Sequence, residues 1–336
     1  MSIENPKVSI LVPIYNVEKY IERCAVSLFE QTYENIEYVF VNDCTPDGSI
    51  QVLEQVMKRY PLREKSTRII NHTVNRGLAA ARNTGVENCS GEFVVHVDSD
   101  DYVELNAVEI LVNQQLRSKA DIVTGMMLCH NVNGDSLLPH PHYKTKDEMV
   151  LDMMQQTINH SVCKRLIRKS LYDDYGVREK EGVNCGEDCW AMTQLVYYAS
   201  SFSFVDEVVY HYDCTRDDSY MANKKSVINK KRLTDDITTA QLIVDFFRDK
   251  EQVYFDEANR VAVKSIEVAL KRAAGAGEHD LFYEMCAKLV ASDKKYWDAI
   301  GWNNGLKRFI AQHYHSCRTS LFLSKAYNKI LSYKYK

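Results

Sequence analysis

From residue 7 the chain alternates between short runs of consecutive apolar residues and stretches in which apolar residues return at helical period. That alternation is the sequence form of β-α-β-α units wound on a mostly parallel sheet. KVSILVP (7–13) predicts a buried strand, and after Asn16 as N-cap the residues Val17, Tyr20, Ile21, Cys24, Ala25 and Leu28 mark one apolar helix face. IEYVFVN (36–42) predicts the second strand, and Ile50, Leu53, Val56, Met57 and Tyr60 mark a second helix capped by Asp47 or Ser49. TRIIN (67–71) and EFVVHVD (92–98) follow as strands on either side of an Ala-rich helix from Gly77 to Glu87. A helix over 105–117 and a fifth strand, ADIVTGM (120–126), complete an open α/β sheet. Beyond residue 130 the alternation breaks into loop-like text, then a helix in GEDCWAMTQLVYYAS and a strand over 204–212. From about residue 220 the pattern is helical throughout, which predicts an α/β domain over 1–215 and a helical domain over 216–336.

Composition narrows the class. With 45% hydrophobic and 26% charged residues, 13 Gly and 6 Pro, the 336-residue chain has an ordinary globular composition. No apolar run approaches the roughly 18 residues of a spanning helix, and the N-terminus lacks a signal-peptide layout, so a cytoplasmic location is expected. The ten cysteines form no C-x-x-C pair and are read as free thiols; Cys185 and Cys189 are read as packing rather than zinc ligands. The net charge of −4 hides an asymmetry: seven basic residues and no acid follow Asp298, leaving −11 on the first 298 residues. In the last helix Leu323, Ala326, Tyr327 and Ile330 share one face and Arg318, Lys325 and Lys329 the opposite one. Such a basic helix either packs on the protein with a solvated basic face, or touches the inner face of an anionic membrane. Nucleic-acid binding is not expected, because no basic stripe with interleaved aromatics appears before residue 300.

Ligands of open α/β sheets bind outside the carboxyl ends of the strands, so polar residues just past each strand are the candidates for chemistry. Four strand ends carry them: Pro13-Ile14-Tyr15-Asn16, Asn42-Asp43-Cys44-Thr45, Asn75-Arg76-Gly77 and Asp98-Ser99-Asp100-Asp101. Asp98 and Asp100, at i and i+2 past a strand, can offer oxygen ligands to one hard cation, Mg²⁺ or Mn²⁺, bridging a diphosphate. Arg76 and Arg82 flank a helix N-terminus that favours an anion, Arg82 either touching the ligand or holding that wall of the pocket. Lys164 or Arg165 is a further candidate diphosphate contact. His211 is left out of the metal site, since a lone His on a strand is more often structural.

In this order and spacing VSILVPIYN, LFEQTYENIEYVFVND, DCTPDGS, NRGLAAARNTG, GEFVVHVDSDDYV and GEDCW resemble the inverting GT-A glycosyltransferases of family 2, over about residues 7–215. The resemblance implies a GT-A, Rossmann-like fold and transfer of a hexose-type sugar from a nucleotide-diphosphate donor, a UDP-sugar first, to a saccharide or lipid-linked acceptor. It implies that Pro13, Tyr15 and Asp43 hold the nucleobase, that Arg76 and Asp98 border the nucleoside, and that Asp100 is the principal metal ligand. Asp188 would be the catalytic base, and Glu187 would position the acceptor. Asn42, where the family often has Asp, and Cys44-Thr45-Pro46 leave the base preference open. Two other readings compete. A sugar-phosphate nucleotidyltransferase would want a Gly-rich phosphate loop after the first strand, which Pro-Ile-Tyr-Asn does not supply. A non-catalytic sugar-nucleotide binder or scaffold would have no need of Asp188.

Overall fold

The computed structural model describes residues 5–138, 143–155, 160–215 and 230–297, the backbone of 298–300, and Lys325, Ala326 and Lys329. The chain divides into two compact units, Met1–Asn223 and Lys224–Lys336, each described by itself.

The first unit is built on β1 (Val8–Ile14), α1 (Ile21–Phe29), β2 (Ile36–Asn42), α2 (Ser49–Met57), α3 (Pro61–Glu64), β3 (Thr67–Asn71), α4 (Leu78–Asn88) and β4 (Phe93–His96). Next come β5 (Tyr102–Val103), α5 (Ala107–Ser118), β6 (Ile122–His130), β7 (Ser136–Leu138), α6 (Lys146–Gln155), β8 (Arg165–Arg168), α7 (Lys169–Asp174), α8 (Glu187–Tyr198) and β9 (Phe202–Asp213). One nine-stranded sheet runs β3-β2-β1-β4-β8-β6-β9-β5, with β7 on the side of β6. From β3 to β4 all pairs are parallel, while β8 lies antiparallel to both β4 and β6. All seven residues of β1 are buried, as a run that is apolar apart from Ser9 predicts for a strand covered on both faces.

One expectation is corrected. The helix read from Asn16 begins at Ile21 instead, because Asn16 takes φ +55° and the Tyr20 and Ile21 amides bond back to Val17 O, making a turn before the helix. A strand that was not read in the sequence, β8, lies between β4 and β6; its four residues, Arg-Leu-Ile-Arg, show too little apolar pattern to be read as a strand. The Ala-rich helix α4 is buried over most of its surface, including Arg82 and Asn83, so it shows no amphipathic stripe.

The second unit contains α9 (Lys230–Phe247), α10 (Gln252–Ala276), α11 (His279–Ala291) and a 3-10 turn over Lys294–Ile300. Leu233, Ala269, Leu270, Phe282, Leu289 and Trp297 form its core. Gly277, at φ +73°, ends α10 where a side chain would be strained. No described helix is long and apolar enough to cross a membrane. The basic terminal helix falls outside the described residues, apart from Lys325, Ala326 and Lys329.

Candidate active site

The carboxyl ends of β1, β2 and β4 open on the same edge of the sheet, since the three strands are parallel and adjacent. At the end of β2, Asp43 is 2% exposed and its amide bonds to Ile14 O, joining the two strand ends. Its Oδ1 accepts from His72 Nδ1 at 2.7 Å and from the Arg76 amide at 2.8 Å, and its Oδ2 accepts from the Gly77 amide at 2.7 Å. Asp43 therefore fixes the start of α4, and Gly77 supplies the φ of +89° that the entry to that helix requires. A carboxylate has about four lone-pair sites, so room for one further donor remains. Asp43→Asn sets an amide N–H₂ against one of these buried donors. It is expected to lower stability by about 1–3 kcal/mol, read as a shift of the urea midpoint at unchanged slope.

Around Asp43, Tyr15 is 48% exposed and Asn16 donates its amide to Thr45 Oγ1 at 2.8 Å, while Pro13 lies within β1 opposite Val41. The Arg76 guanidinium, exposed, pairs with Glu181 Oε1 at 2.9 Å.

Past β4, the Asp98–Asp101 turn is held from three sides. Asp98 Oδ1 accepts from Arg82 Nη2 at 2.7 Å, and Oδ2 from the Cys163 thiol at 3.6 Å. Asp100 lends its backbone oxygen to Arg23 Nη2 at 2.9 Å. Asp101 is buried and accepts from Tyr210 Oη at 2.7 Å and from the Asp213 amide at 3.0 Å; burial, with Asp100 and Asp98 beside it, pushes its carboxyl well above the usual range. The turn thus gathers hard oxygen donors in a charge-rich place that a divalent cation would suit. Among the described residues no group of three or more His, Cys, Asp or Glu could hold a metal ion by itself. The carboxylates of Asp98 and Asp100 are of the hard-oxygen type that such a cation takes. His211 faces elsewhere: its Nε2 bonds Glu104 Oε1 at 2.8 Å, its Nδ1 lies 3.0 Å from His130 Nε2, and its ring stacks on Tyr102.

Glu187 and Asp188 occupy the first turn of α8, behind Gly186 at φ +89°, where the helix dipole favours negative charge. Asp188 Oδ1 accepts from the Cys189 amide at 2.7 Å and lies 3.5 Å from His160 Nε2. Glu187 is 6% exposed and turns inward to Arg82, whose Nη1 reaches Glu187 Oε1 at 3.5 Å and Glu179 Oε1 at 3.2 Å. One buried guanidinium therefore joins Asp98 on the β4 side to two carboxylates on the α8 side. Burial opposes its charge, but Asp98 and Glu179 outweigh that and keep it protonated. Burial pushes Glu179 up to about 7, against the pull of Arg82; burial, then Asp188 and Glu179, push Glu187 well above the carboxylate range.

The structure brings Arg82, Asp98 and Glu187 into direct contact and places Asp43 and Arg76 together through the Arg76 amide. Lys164 and Arg165 are 2% exposed and point inward, burial lowering Lys164 to about 7 and Arg165 to about 10. Glu179, Tyr210 and His160 were not among the residues singled out in the sequence; Asp101 was named there only as part of the polar turn after the fourth strand.

The mostly parallel sheet, with the acidic turn after β4 and Glu187 and Asp188 opening α8, is the arrangement expected of a glycosyltransferase of the GT-A fold. The chain belongs to a particular family within that class, glycosyl transferase family 2, whose model matches residues 9–176. It is 31% identical over 215 residues to the uncharacterized glycosyltransferase EpsJ of Bacillus subtilis, covering 62% of this chain and 61% of EpsJ. It is 27% identical over 252 residues to the minor teichoic acid biosynthesis protein GgaB of the same organism, covering 73% of this chain and 27% of GgaB. The chain thus spans less than two thirds of these relatives. In fold it is similar to S. aureus TarS 1-349 in complex with UDP-GlcNAc, at a TM-score of 0.69 and 18% identity, over 96% of this chain and 92% of that one.

Proposed function

We propose that the chain is an inverting, metal-dependent hexosyltransferase that moves a sugar from a nucleoside-diphosphate donor, a UDP-sugar first, to a saccharide or lipid-linked acceptor in surface polysaccharide assembly. The observation that carries this reading is Arg82, which ties the Asp98 turn to the helix end bearing Asp188. Direct displacement at an anomeric carbon needs a base for the acceptor hydroxyl on one side and charge stabilisation for the leaving diphosphate on the other. Asp188, 18% exposed at its side chain and at a helix N-terminus, has the access and charge of the base. It takes the hydroxyl proton as the new C–O bond forms and the bond from the anomeric carbon to the diphosphate oxygen breaks. Mg²⁺ or Mn²⁺, when bound, would neutralise charge building on the diphosphate; Asp100, with Asp98, would hold it. Asp43, Tyr15, Asn16 and Pro13 form the nucleobase end of the crevice, and Arg76 borders the nucleoside. The teichoic acid role in GgaB's name supports a cell-surface acceptor, and the UDP-GlcNAc bound to TarS supports a UDP-sugar donor. The absence of disulfides among the nine described cysteines suits a reducing compartment such as the cytoplasm.

Calorimetric titration with UDP, GDP, UDP-GlcNAc, UDP-glucose and GDP-mannose, with and without Mn²⁺, tests the reading. One nucleotide should bind in a metal-dependent way, and Asp100→Ala should weaken it by at least about tenfold. A folded protein that binds none of the five would count against this reading and for a non-catalytic binder or scaffold.

A further inference from the structure

The segment from Tyr175 to Gly186 joins α7 to α8 and so carries Glu187 and Asp188 at its end. Much of it is exposed: Lys180, Glu181, Gly182 and Asn184 face solvent, and Gly176, Gly182 and Gly186 take positive φ. A segment of that kind does not fix the entry angle of a helix by its own backbone. One residue in it is bound on every side. Glu179 is 6% exposed, its amide donates to Asn83 Oδ1 at 2.9 Å, and its carbonyl accepts from Asn83 Nδ2 at 2.9 Å. Its carboxylate accepts from Arg82 Nη1, the same nitrogen that reaches Glu187. Two consecutive residues of α4 thus grip one residue of the segment, by backbone and by side chain, 96 and 97 positions away in the chain.

We propose that Glu179 is a positioning residue for glycosyl transfer: by anchoring its segment on Asn83 and sharing Arg82 with Glu187, it sets where the Asp188 carboxylate stands relative to the Asp98 turn. The proposal rests on the reading of Asp188 as the base. Arg82 alone would not do this. Its Nη2 is committed to Asp98, so without Glu179 the guanidinium is held toward α8, among the described residues, by its long 3.5 Å contact to Glu187 alone. The Oε2 atoms of Glu179 and Glu187 are buried without a hydrogen-bond partner, so the group is held by its Oε1 contacts to Arg82 and has no second set of bonds to fall back on. Misplacing a catalytic group by about 1 Å costs up to about 10²-fold in rate, whereas Asp43, at the base end of the donor crevice, is held by His72 and by the Arg76 and Gly77 amides without Glu179, and the exposed Arg76–Glu181 pair that reaches the same segment contributes little.

The test uses the full chain, Mn²⁺, and release of nucleoside diphosphate from UDP-GlcNAc, UDP-glucose or GDP-mannose with water as acceptor, beside calorimetric donor affinity. Glu179→Leu should lower kcat by about tenfold or more while donor affinity stays within about twofold. Glu179→Gln, which keeps an oxygen for Arg82 Nη1, should stay within about threefold of wild type in kcat. Asn83→Ala leaves every charge in place and loosens only the backbone grip; it should lower kcat in the same direction, and it decides the matter if Glu179→Leu does not fold. Wild-type kcat in folded Glu179→Leu or in Asn83→Ala overturns the proposal. So does a fall in which kcat and donor affinity drop together in proportion to lost folded protein, the signature of a purely structural residue. If the wild-type chain binds and turns over none of the three donors, the transferase reading itself has failed and this proposal goes with it; turnover by the wild type isolates the role of Glu179.

Discussion

Asp188→Asn is expected to abolish transfer while leaving the donor bound as tightly as before. The amide keeps the size of the carboxylate and an oxygen for the Cys189 amide, which now bonds Asp188 Oδ1 at 2.7 Å, so the first turn of α8 should stay intact. What it removes is basicity. General-base catalysis contributes roughly 10²–10⁴-fold, and the loss should appear in kcat, because the proton leaves the acceptor only as the new bond forms. Calorimetry with the sugar nucleotide should give a Kd within about twofold of wild type. A tenfold or greater loss of donor affinity would place Asp188 in the donor pocket, and retained kcat would remove it from the chemistry. Glu187 cannot take over the role: it is turned inward to Arg82 and its carboxyl is raised well above the usual range by burial and by Asp188 itself, so it holds its own proton and cannot accept the one from the acceptor.

The parts of the site that lie at strand ends were legible in the sequence, since a buried parallel strand writes itself as an apolar run and the residue after it is fixed by counting. Asp43, Asp98 and Asp100 follow that rule. Glu187 and Asp188 were legible for a related reason, as acids opening a helix with a clear apolar pattern. Glu179 was not, because its meaning depends on Arg82 and Asn83, 97 and 96 residues earlier, and it stands between half-buried Arg178 and exposed Lys180. The inward burial of Lys164 and Arg165 was equally hidden. Charged residues predict surface, yet Lys164 takes φ +62° at the entry to β8 and both side chains turn into the protein. Arg82 was read as either a ligand contact or a brace of the pocket wall; its three carboxylate partners, all reached from 4% exposure, make it a brace.

That geometry makes Arg82 the residue whose loss should cost the fold most, and in a pH-dependent way. Arg82→Met replaces a buried cation with an apolar side chain of similar length and leaves Asp98, Glu179 and Glu187 facing one another without it. Breaking a buried ion pair from one side costs roughly 3–5 kcal/mol, or a fall in Tm on the order of 10 °C for a unit of this size. The sign of the pH effect follows from the raised carboxyls. In the wild type Glu179 goes from an ordinary 4.5 up to about 7 in the folded state, so the folded protein binds the proton more tightly than the unfolded one. The resulting contribution to stability is full below 4.5 and is lost as pH rises through about 7. Removing Arg82 takes away the attraction that opposes this shift, so Glu179 and Glu187 keep their protons to still higher pH. The variant's deficit should therefore be smaller at about pH 5, where protonated acids need no cation, than at about pH 8, where they must either hold protons against the solvent or stay buried as anions. Urea unfolding of both proteins at the two pH values measures the difference directly. An equal deficit at both would mean that Glu179 and Glu187 gain other partners or water when the guanidinium is gone, and that the carboxylates on the α8 side do not depend on Arg82 for their charge balance.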